Sequence, residues 1–321
     1  MIRFEAVTHR YGGTEVVRDV TLDVPGGSLT VLLGESGSGK TTLLRTVNRL
    51  VEPTAGRVLL DGTDVTTRDP DTLRRGIGYV IQSVGLFPHR DVAANVATVP
   101  RLLRWDAARI AARTDALLDL VGLDPGAFRH RLPGTLSGGQ AQRVGLARAL
   151  AADPPVLLMD EPFSALDPAT RRALGAELRR VHAATGKTIL LVTHDVEEAL
   201  ALADRLAVMD RGRLVAAGPP PKVLGRDAPP PVRALFGERA LAFHRLAAFA
   251  ADAVARPADA TDLPILPPGA TAKDALLLML ETGRDAVALS AAASGAASGA
   301  PSGTPPGAPR TIRLRRLLTP P

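Results

Sequence analysis

Residues 34–42 read Gly-Glu-Ser-Gly-Ser-Gly-Lys-Thr-Thr, and this glycine-rich stretch decides the fold. It follows the apolar run Leu-Thr-Val-Leu-Leu at 29–33 and precedes a helical pattern, which predicts a strand, a turn and a helix N-terminus in succession. In such a turn the backbone N–H groups and the helix dipole attract phosphate, the lysine reaches the outer phosphates and the next hydroxyl binds Mg²⁺. The stretch therefore predicts nucleotide binding by Gly34, Glu35, Ser36, Gly37, Ser38, Gly39, Lys40, Thr41 and Thr42.

A second motif supplies two carboxylates. The apolar run 156–159 ends in Asp160-Glu161-Pro162, which predicts a buried parallel strand with both acids at its C-terminal end. Taken alone, the pair reads more readily as a helix N-cap beside a surface glutamate, because carboxylates commonly follow strands at helix starts. Next to a phosphate-binding turn, we expect Asp160 to hold Mg²⁺ through water and Glu161 to polarise an attacking water.

A third motif, Leu-Ser-Gly-Gly-Gln at 136–140, opens a long helical pattern and forms another anion-binding helix N-terminus. One phosphate group hardly needs two such turns within a single domain. We therefore expect Ser137 and Gly139 to serve the nucleotide of a second copy, so that two chains pack head to tail around two ATP molecules.

Together these motifs resemble the ATP-binding cassette (ABC) family over residues 1 to about 235. The resemblance implies that Tyr11 stacks on adenine, that Gln82 touches Mg²⁺ and couples the site to a membrane partner, and that His194 contacts the terminal phosphate. It also implies nucleotide contacts from Ser137, Gly138, Gly139 and Gln140, and a dimer-interface role for the loop 164–167. The alternatives are a half-buried strand tyrosine and a structural histidine.

The implied mechanism assigns catalytic roles to Lys40, Gln82, Glu161 and His194. Glu161 positions or deprotonates water for attack on the γ-phosphate, while Lys40 and His194 stabilise the developing charge. The predicted ligands of Mg²⁺ are Thr41, Gln82 and, through water, Asp160.

Strands alternating with helices predict an α/β fold with a parallel sheet covered on both faces. In the terms of the resemblance, this is a P-loop NTPase (RecA-like) core with an antiparallel β subdomain and a helical insertion. The predicted strands are 2–8, 15–24, 29–33, 57–61, 156–160, 188–193 and 205–209. The predicted helices are 40–50, 92–99, 106–121, 140–151, 168–184 and 196–202.

The chain changes character near its C-terminus. We expect an ABC ATPase domain at 1–236 with its helical insertion at about 86–150, an extension at 237–289 and a low-complexity tail at 290–321. The extension predicts helices at 239–255 and 271–281 and a strand at 286–289, and it faintly resembles a degenerate cystathionine-β-synthase-type (CBS) module. Residues 290–309 contain only Ala, Ser, Gly, Pro and Thr, too little apolar surface to order themselves. A passive tail is the alternative.

Composition predicts a protein that reaches the membrane only through partners. No apolar run approaches eighteen residues, the N-terminus has no signal-peptide pattern, and there is no cysteine for disulfides or thiolate sites. The net charge is +6, but the 35 Arg and 4 Lys are dispersed and only 3% of residues are aromatic, which argues against nucleic acid. We expect a peripheral location on the cytoplasmic face of the cell membrane.

The cargo is indicated by the runs 74–89 and 92–103, which resemble the subfamily that imports quaternary amines such as glycine betaine, choline and proline betaine. The expected partners are integral membrane permease subunits, a second copy of the chain and, indirectly, an extracytoplasmic solute-binding protein. Alternatives are an importer of amino acids or another small solute, an exporter, and a soluble ABC ATPase acting on ribosomes or DNA.

Overall fold

The structure is a computed structural model, and it describes residues 1–225, 227–237, 256–257, 263–267, 270–282, 286–289 and 310–313. These residues fall into two compact units that divide between Pro219 and Pro220. The domain boundary at 236 inferred from the sequence lies beyond this division. The domain limits remain predictions.

The secondary structure of the first unit is as follows. Its strands are β1 (Ile2–Tyr11), β2 (Thr14–Val24), β3 (Leu29–Leu33), β4 (Ala55–Leu60), β5 (Thr63–Asp64), β6 (Ile77–Val80), β7 (Val156–Asp160), β8 (Thr188–Thr193), β9 (Arg205–Asp210) and β10 (Arg213–Gly218). Its helices are α1 (Lys40–Val47), α2 (Pro70–Arg75), α3 (Val92–Val96), α4 (Thr98–Leu102), α5 (Ala107–Leu120), α6 (Pro125–Phe128), α7 (Gly138–Leu150), α8 (Pro168–Thr185) and α9 (Val196–Leu202). Short 3₁₀ turns lie at Val65–Thr67 and Pro133–Thr135.

The main sheet has the order β10-β9-β3-β8-β7-β6, with parallel neighbours from β9 through β6 and β10 antiparallel at one edge. Every residue of β3, β7 and β8 is buried, as expected for strands covered on both faces. A second sheet, β2-β1-β4-β5, is antiparallel. The structure thus contains both parts of the expected fold, the α/β core with its parallel sheet and the antiparallel β subdomain.

The helical insertion differs from its prediction in its first helix and in α6, which was not predicted. The single helix expected at 92–99 is two short helices, α3 and α4, separated at Ala97. Proline lacks an N–H and its ring clashes with the carbonyl four residues earlier, so Pro100 is incompatible with one continuous helix from Val92. Starting a new helix at Thr98 places Pro100 within the first turn, where proline is tolerated.

The second unit contains α10 (Pro220–Val223), α11 (Pro230–Phe236) and α12 (Ala272–Thr282), and the strands β11 (Arg256–Pro257), β12 (Ile265–Leu266), β13 (Ala286–Leu289) and β14 (Arg310–Arg313). The sheet order is β11-β14-β13-β12, in which β12 and β13 are parallel and connected through α12. A small core buries Leu266, Ala272, Ala275, Met279, Val287 and Ile312.

Residues 310–313 of the expected low-complexity tail form strand β14, which pairs antiparallel with β13. The helix expected at 271–281 and the strand at 286–289 are present, whereas the helix expected at 239–255 and the stretch 290–309 lie outside the described residues. The CBS resemblance remains a prediction. Within the described residues, no helix combines the length and the apolar character that crossing a membrane requires.

Candidate active site

Three parallel strands deliver the predicted site residues to one edge of the main sheet. The register aligns Leu33 of β3 with Thr193 of β8, and Asp160 of β7 with Val192 of β8. The segments that follow these strands therefore begin side by side. They carry the glycine-rich turn, Glu161 and His194.

The glycine-rich turn requires glycine at two positions because the backbone of other segments approaches closely. A Cβ on Gly34 would lie 2.2 Å from Met209 O, and a Cβ on Gly39 would lie 2.3 Å from Val16 O. Gly39 also has a φ of 95° and precedes α1 without any side-chain cap. The backbone N–H groups of the first turn of α1 are thus available to bind an anion such as phosphate.

Lys40 is buried within this turn. Its Nζ donates hydrogen bonds to Gly34 O at 2.8 Å and Glu35 O at 2.7 Å, and lies 3.4 Å from Ser38 Oγ. Burial lowers the pKa of the Lys40 ammonium, while the nearby carboxylates of Glu161 and Asp160 act in the opposite direction. A buried cation near two acids suits the binding of a charged phosphate.

Asp160 accepts hydrogen bonds from three side chains. Thr41 Oγ1 donates to Asp160 Oδ1 at 2.7 Å, while Arg45 Nη2 at 3.1 Å and the Tyr79 hydroxyl at 3.4 Å donate to Oδ2. Arg45 and Tyr79 were missed by the sequence analysis. Arg45 follows Thr41 by four residues on α1, a spacing that puts both on one helix face and offered a usable signal.

The oxygens around Asp160 fit Mg²⁺. The Thr41 hydroxyl and the Asp160 carboxylate are hard oxygen ligands, and Mg²⁺ typically takes one or two protein groups together with substrate phosphates. The amide of Gln82, the other predicted ligand, contacts Glu161. No cluster of three or more His, Cys, Asp or Glu side chains that could hold a metal ion occurs in the residues that the structure describes.

Glu161 lies between Gln82 and His194. Gln82 Nε2 donates to Glu161 Oε2 at 3.2 Å, and His194 Nδ1 lies 3.3 Å from Glu161 Oε1. The backbone of Glu161 is in the left-handed region, with a φ of 46°, and its N–H donates to Val192 O at 2.9 Å. Such a conformation costs about 1–2 kcal/mol for a residue with a Cβ and is typical of functional sites.

The loop that carries Gln82 is fixed by another residue that the sequence analysis missed. Arg148 of α7 donates to Val84 O and Gly85 O, both at 2.7 Å. Val84 has a φ of 60°, which is unusual for a β-branched residue. Nothing in the sequence pairs these positions, because they lie 63 and 64 residues apart.

Tyr11 lies at the end of β1 with 51% of its surface exposed. Its ring contacts the ring of His9 edge to face, with centroids 4.4 Å apart. Tyr11 pairs with Thr14 of β2, the strand whose Val16 carbonyl approaches Gly39. The aromatic face is thus placed on the hairpin that borders the phosphate turn.

The Ser-Gly-Gly turn forms an exposed cap at the start of α7. Ser137 Oγ accepts from Gln140 N at 3.3 Å, and Gln140 Oε1 accepts from Ser137 N at 3.0 Å, which makes a capping box. Cβ positions on Gly138 and Gly139 would lie 3.4 Å from the Leu166 side chain and 3.0 Å from the Thr170 side chain. These neighbours belong to the segment after Glu161 and not to the phosphate turn.

A glycine-rich turn after β3, an Asp-Glu pair after β7 and a histidine after β8 define a P-loop ATPase cassette. The sequence profile of the ABC transporter family matches residues 17–164. The glycine betaine uptake system ATP-binding protein YehX of Escherichia coli strain K12 is 48% identical over 283 residues, which cover 88% of this chain and 92% of YehX. The chain belongs to the ABC transporter family and is an ABC-type ATPase.

Two further comparisons support this family assignment. The osmoprotectant import ATP-binding protein OsmV of Salmonella typhimurium is 47% identical over 71% of this chain, which spans only 61% of OsmV. A bacterial ABC transporter cassette, solved as a dimer, superposes with a TM-score of 0.60 at 32% identity and covers 68% of this chain and 98% of that cassette. The fold class and the family predicted from the sequence are confirmed.

Proposed function

We propose that this chain is the ATP-hydrolysing subunit of an importer of quaternary-amine osmoprotectants such as glycine betaine. One observation carries the proposal. The phosphate turn, Asp160, Glu161 and His194 meet at one sheet edge in a chain that is 48% identical to a glycine betaine uptake ATP-binding protein. The chain would lie on the cytoplasmic face of the membrane, bound to a separate permease.

The nucleotide is ATP in this proposal. Its phosphates bind the turn 34–42 and the N-terminus of α1, Lys40 turns its ammonium from Gly34 O and Glu35 O towards the phosphates, and adenine stacks on Tyr11. Thr41, Asp160 and Gln82 would hold Mg²⁺, which supplies charge neutralisation on the phosphate oxygens when bound.

Glu161 is the group that acts on water. Its carboxylate accepts a proton from the water that attacks the γ-phosphate, and its contacts with Gln82 and His194 fix both carboxylate oxygens. Lys40 and His194 then stabilise the charge that develops on the phosphate in the transition state. Glu161 contacts both Gln82 and His194, so a change at its carboxylate affects these two side chains on opposite sides of it.

Two copies complete each site in this proposal. Ser137 and Gly138 are exposed, and the close neighbours of the Ser-Gly-Gly turn in its own chain are Leu166 and Thr170 rather than the phosphate turn. The α7 N-terminus is therefore available to the nucleotide of the partner, with contacts from Ser137, Gly138, Gly139 and Gln140.

A mixed dimer tests this sharing. One copy carries Ser137→Arg and the other carries Lys40→Ala, so that both lesions fall in one composite site and leave the other intact. We expect about half of the ATPase rate of the intact dimer if the two sites act independently. A mixed dimer with no activity would contradict the sharing of sites.

The permease would dock beside Gln82. A groove of about 240 Å³ is lined by Arg74, Arg75, Tyr79, Phe87, Thr98 and Val99 among others. Phe87 is 38% exposed and lies five residues after Gln82, on the loop that Arg148 fixes. Closure of the ATP site would reach the permease through this loop.

Uptake measurements test the cargo. Cells that contain this chain together with its permease and solute-binding protein should accumulate radiolabelled glycine betaine, whereas cells with the Lys40→Ala chain should not. Labelled amino acids are the matched control. Uptake of amino acids without glycine betaine would replace the quaternary-amine assignment by the small-solute importer alternative.

A further inference from the structure

Arg171 of α8 connects two segments that flank the site. Its Nη1 donates to Asp195 Oδ2, on the residue directly after His194, and its Nη2 donates to Leu166 O at 3.2 Å. Leu166 belongs to the loop 164–167 that precedes α8. One guanidinium therefore joins this loop to the turn that carries His194.

The turn is also closed by its own hydrogen bonds. Asp195 Oδ1 accepts from Glu198 N at 3.0 Å, and Asp195 N donates to Thr193 Oγ1 at 3.0 Å. Thr193 Oγ1 in turn donates to Glu198 Oε2 at 3.0 Å. The residues on both sides of His194 are thus bonded into one ring, and Arg171 is the side chain of another helix that holds this ring.

His194 needs such support because half of its side chain is exposed. Because a half-exposed ring has few packing neighbours, we infer that its position 3.3 Å from Glu161 Oε1 depends on the backbone of the turn. We propose that Arg171 and Asp195 are positioning residues for ATP hydrolysis, which hold the His194 turn against Glu161. The inference rests on the proposed function, in which Glu161 and His194 act on water and phosphate.

The pair should influence rate more than folding. The side chains of Arg171 and Asp195 are 27% and 26% exposed, and ion pairs in contact with water contribute little to stability. A displacement of a catalytic group by about 1 Å, in contrast, can lower a rate on the order of 100-fold. Arginine also suits the position better than lysine, because its planar fork reaches a carboxylate and a carbonyl together.

The same helix offers a matched control. Arg179 of α8 donates to Asp204 Oδ1 at 2.7 Å and to Leu202 O at 2.9 Å. It therefore also joins one carboxylate and one backbone carbonyl, but at the far end of α9 from His194. Its removal reproduces the loss of a helix-to-loop ion pair without touching the His194 turn.

The experiment compares variants of the purified full chain by kcat, KM, ATP affinity and thermal midpoint. We expect Arg171→Ala to lower kcat about tenfold or more, with KM changed less than about twofold and a thermal midpoint like that of Arg179→Ala. Arg179→Ala should keep its kcat. Asp195→Asn retains an acceptor for Glu198 N and should reproduce the loss, even if Arg171→Ala does not fold, and Arg171→Lys should restore part of the rate.

A double-mutant cycle shows whether Arg171 acts through His194. Added to His194→Ala, the Arg171→Ala change should cost nothing further, because its target is already absent. Multiplicative losses, or a kcat for Arg171→Ala equal to that of Arg179→Ala, would overturn the inference. If Lys40→Ala hydrolyses ATP normally, the proposed function itself fails; if Lys40→Ala is inactive and Arg171→Ala fully active, only the role of Arg171 and Asp195 fails.

Discussion

Thr41 and Asp160 are joined by a 2.7 Å hydrogen bond across 119 residues of sequence. The bond brings the hydroxyl at the start of α1 to the carboxylate at the end of β7. Because both are proposed to serve Mg²⁺, the phosphate turn and the Asp-Glu strand act as two halves of one site.

Asp160→Asn removes the charge from this site while keeping its shape. We expect Mg²⁺-dependent ATP hydrolysis to fall on the order of 100-fold, with a higher Mg²⁺ concentration needed for half-maximal rate. Asp153→Asn is the control, because Asp153 is also paired with cations, Arg113 and Lys187, but lies before β7. An unchanged Mg²⁺ dependence in Asp160→Asn would remove Asp160 from the metal site.

Glu161→Gln tests the proposed base. Loss of a general base lowers kcat by roughly 10²- to 10⁴-fold, while ATP binding should persist because the phosphate turn is untouched. The variant should therefore accumulate as an ATP-bound dimer in size-exclusion chromatography. The second change Lys40→Ala should abolish that dimer, and normal hydrolysis by Glu161→Gln alone would show that another group activates water.

Gly34→Ala should disrupt the phosphate turn. The new Cβ would clash with the backbone carbonyl of Met209, which can shift only if the main chain moves. We therefore expect a loss of roughly 1–3 kcal/mol in the free energy of unfolding, together with weaker ATP binding. Gly134 has open space at its Cβ position and serves as the control for Gly→Ala. Equal thermal midpoints and ATP affinities for the two variants would contradict the close approach.

Glu198 makes stability depend on pH. Burial raises the pKa of Glu198 to about 7, with smaller contributions of the same sign from Asp195 and Glu161, while the Thr193 hydroxyl and Arg171 act to lower it. The folded state binds the proton more tightly than the unfolded state, so this contribution is complete below about pH 4.5 and is lost as the pH rises through 7.

Glu198→Gln should remove that dependence. Relative to the variant, the unmodified chain should lose roughly 2.5 kcal/mol in the free energy of unfolding between pH 5 and 8.5, measured by urea unfolding. Glu197→Gln is the control, since Glu197 is exposed. Parallel pH curves for the unmodified chain and Glu198→Gln would show that Glu198 is ionised throughout.

The strands built from continuous apolar runs were predictable to the residue. The expected limits 29–33, 156–160 and 188–193 are those observed, because strands buried on both faces need apolar residues at every position. Strand β6 was missed, since its sequence Ile-Gly-Tyr-Val contains a glycine. That glycine is explained by packing: a Cβ on Gly78 would lie 2.4 Å from Ala149 O.

The ends of helices and the supporting contacts were less predictable. Helix α1 stops at Val47 rather than at 50, and Arg49 has a φ of 54°, which no propensity argument indicates. The motif residues could be named because phosphate binding restricts residue type and spacing together. Arg45 could have been named from its spacing to Thr41, but Arg148 and Arg171 could not, because their partners Val84 and Asp195 lie 64 and 24 residues away and arginines are common in this chain.

The pairing of β13 with β14 has a consequence for how this protein can change over generations. Both ends of the stretch between Leu289 and Arg310 are anchored by strand partners, from Ala286 with Arg313 to Ala288 with Thr311. Each doubling of a loop's length costs only about 0.6 kcal/mol in closure entropy. We therefore expect the β13–β14 pairing to tolerate changes in the length of the chain between its strands, so that a fluorescent reporter inserted between 289 and 310 leaves the surrounding sheet assembled.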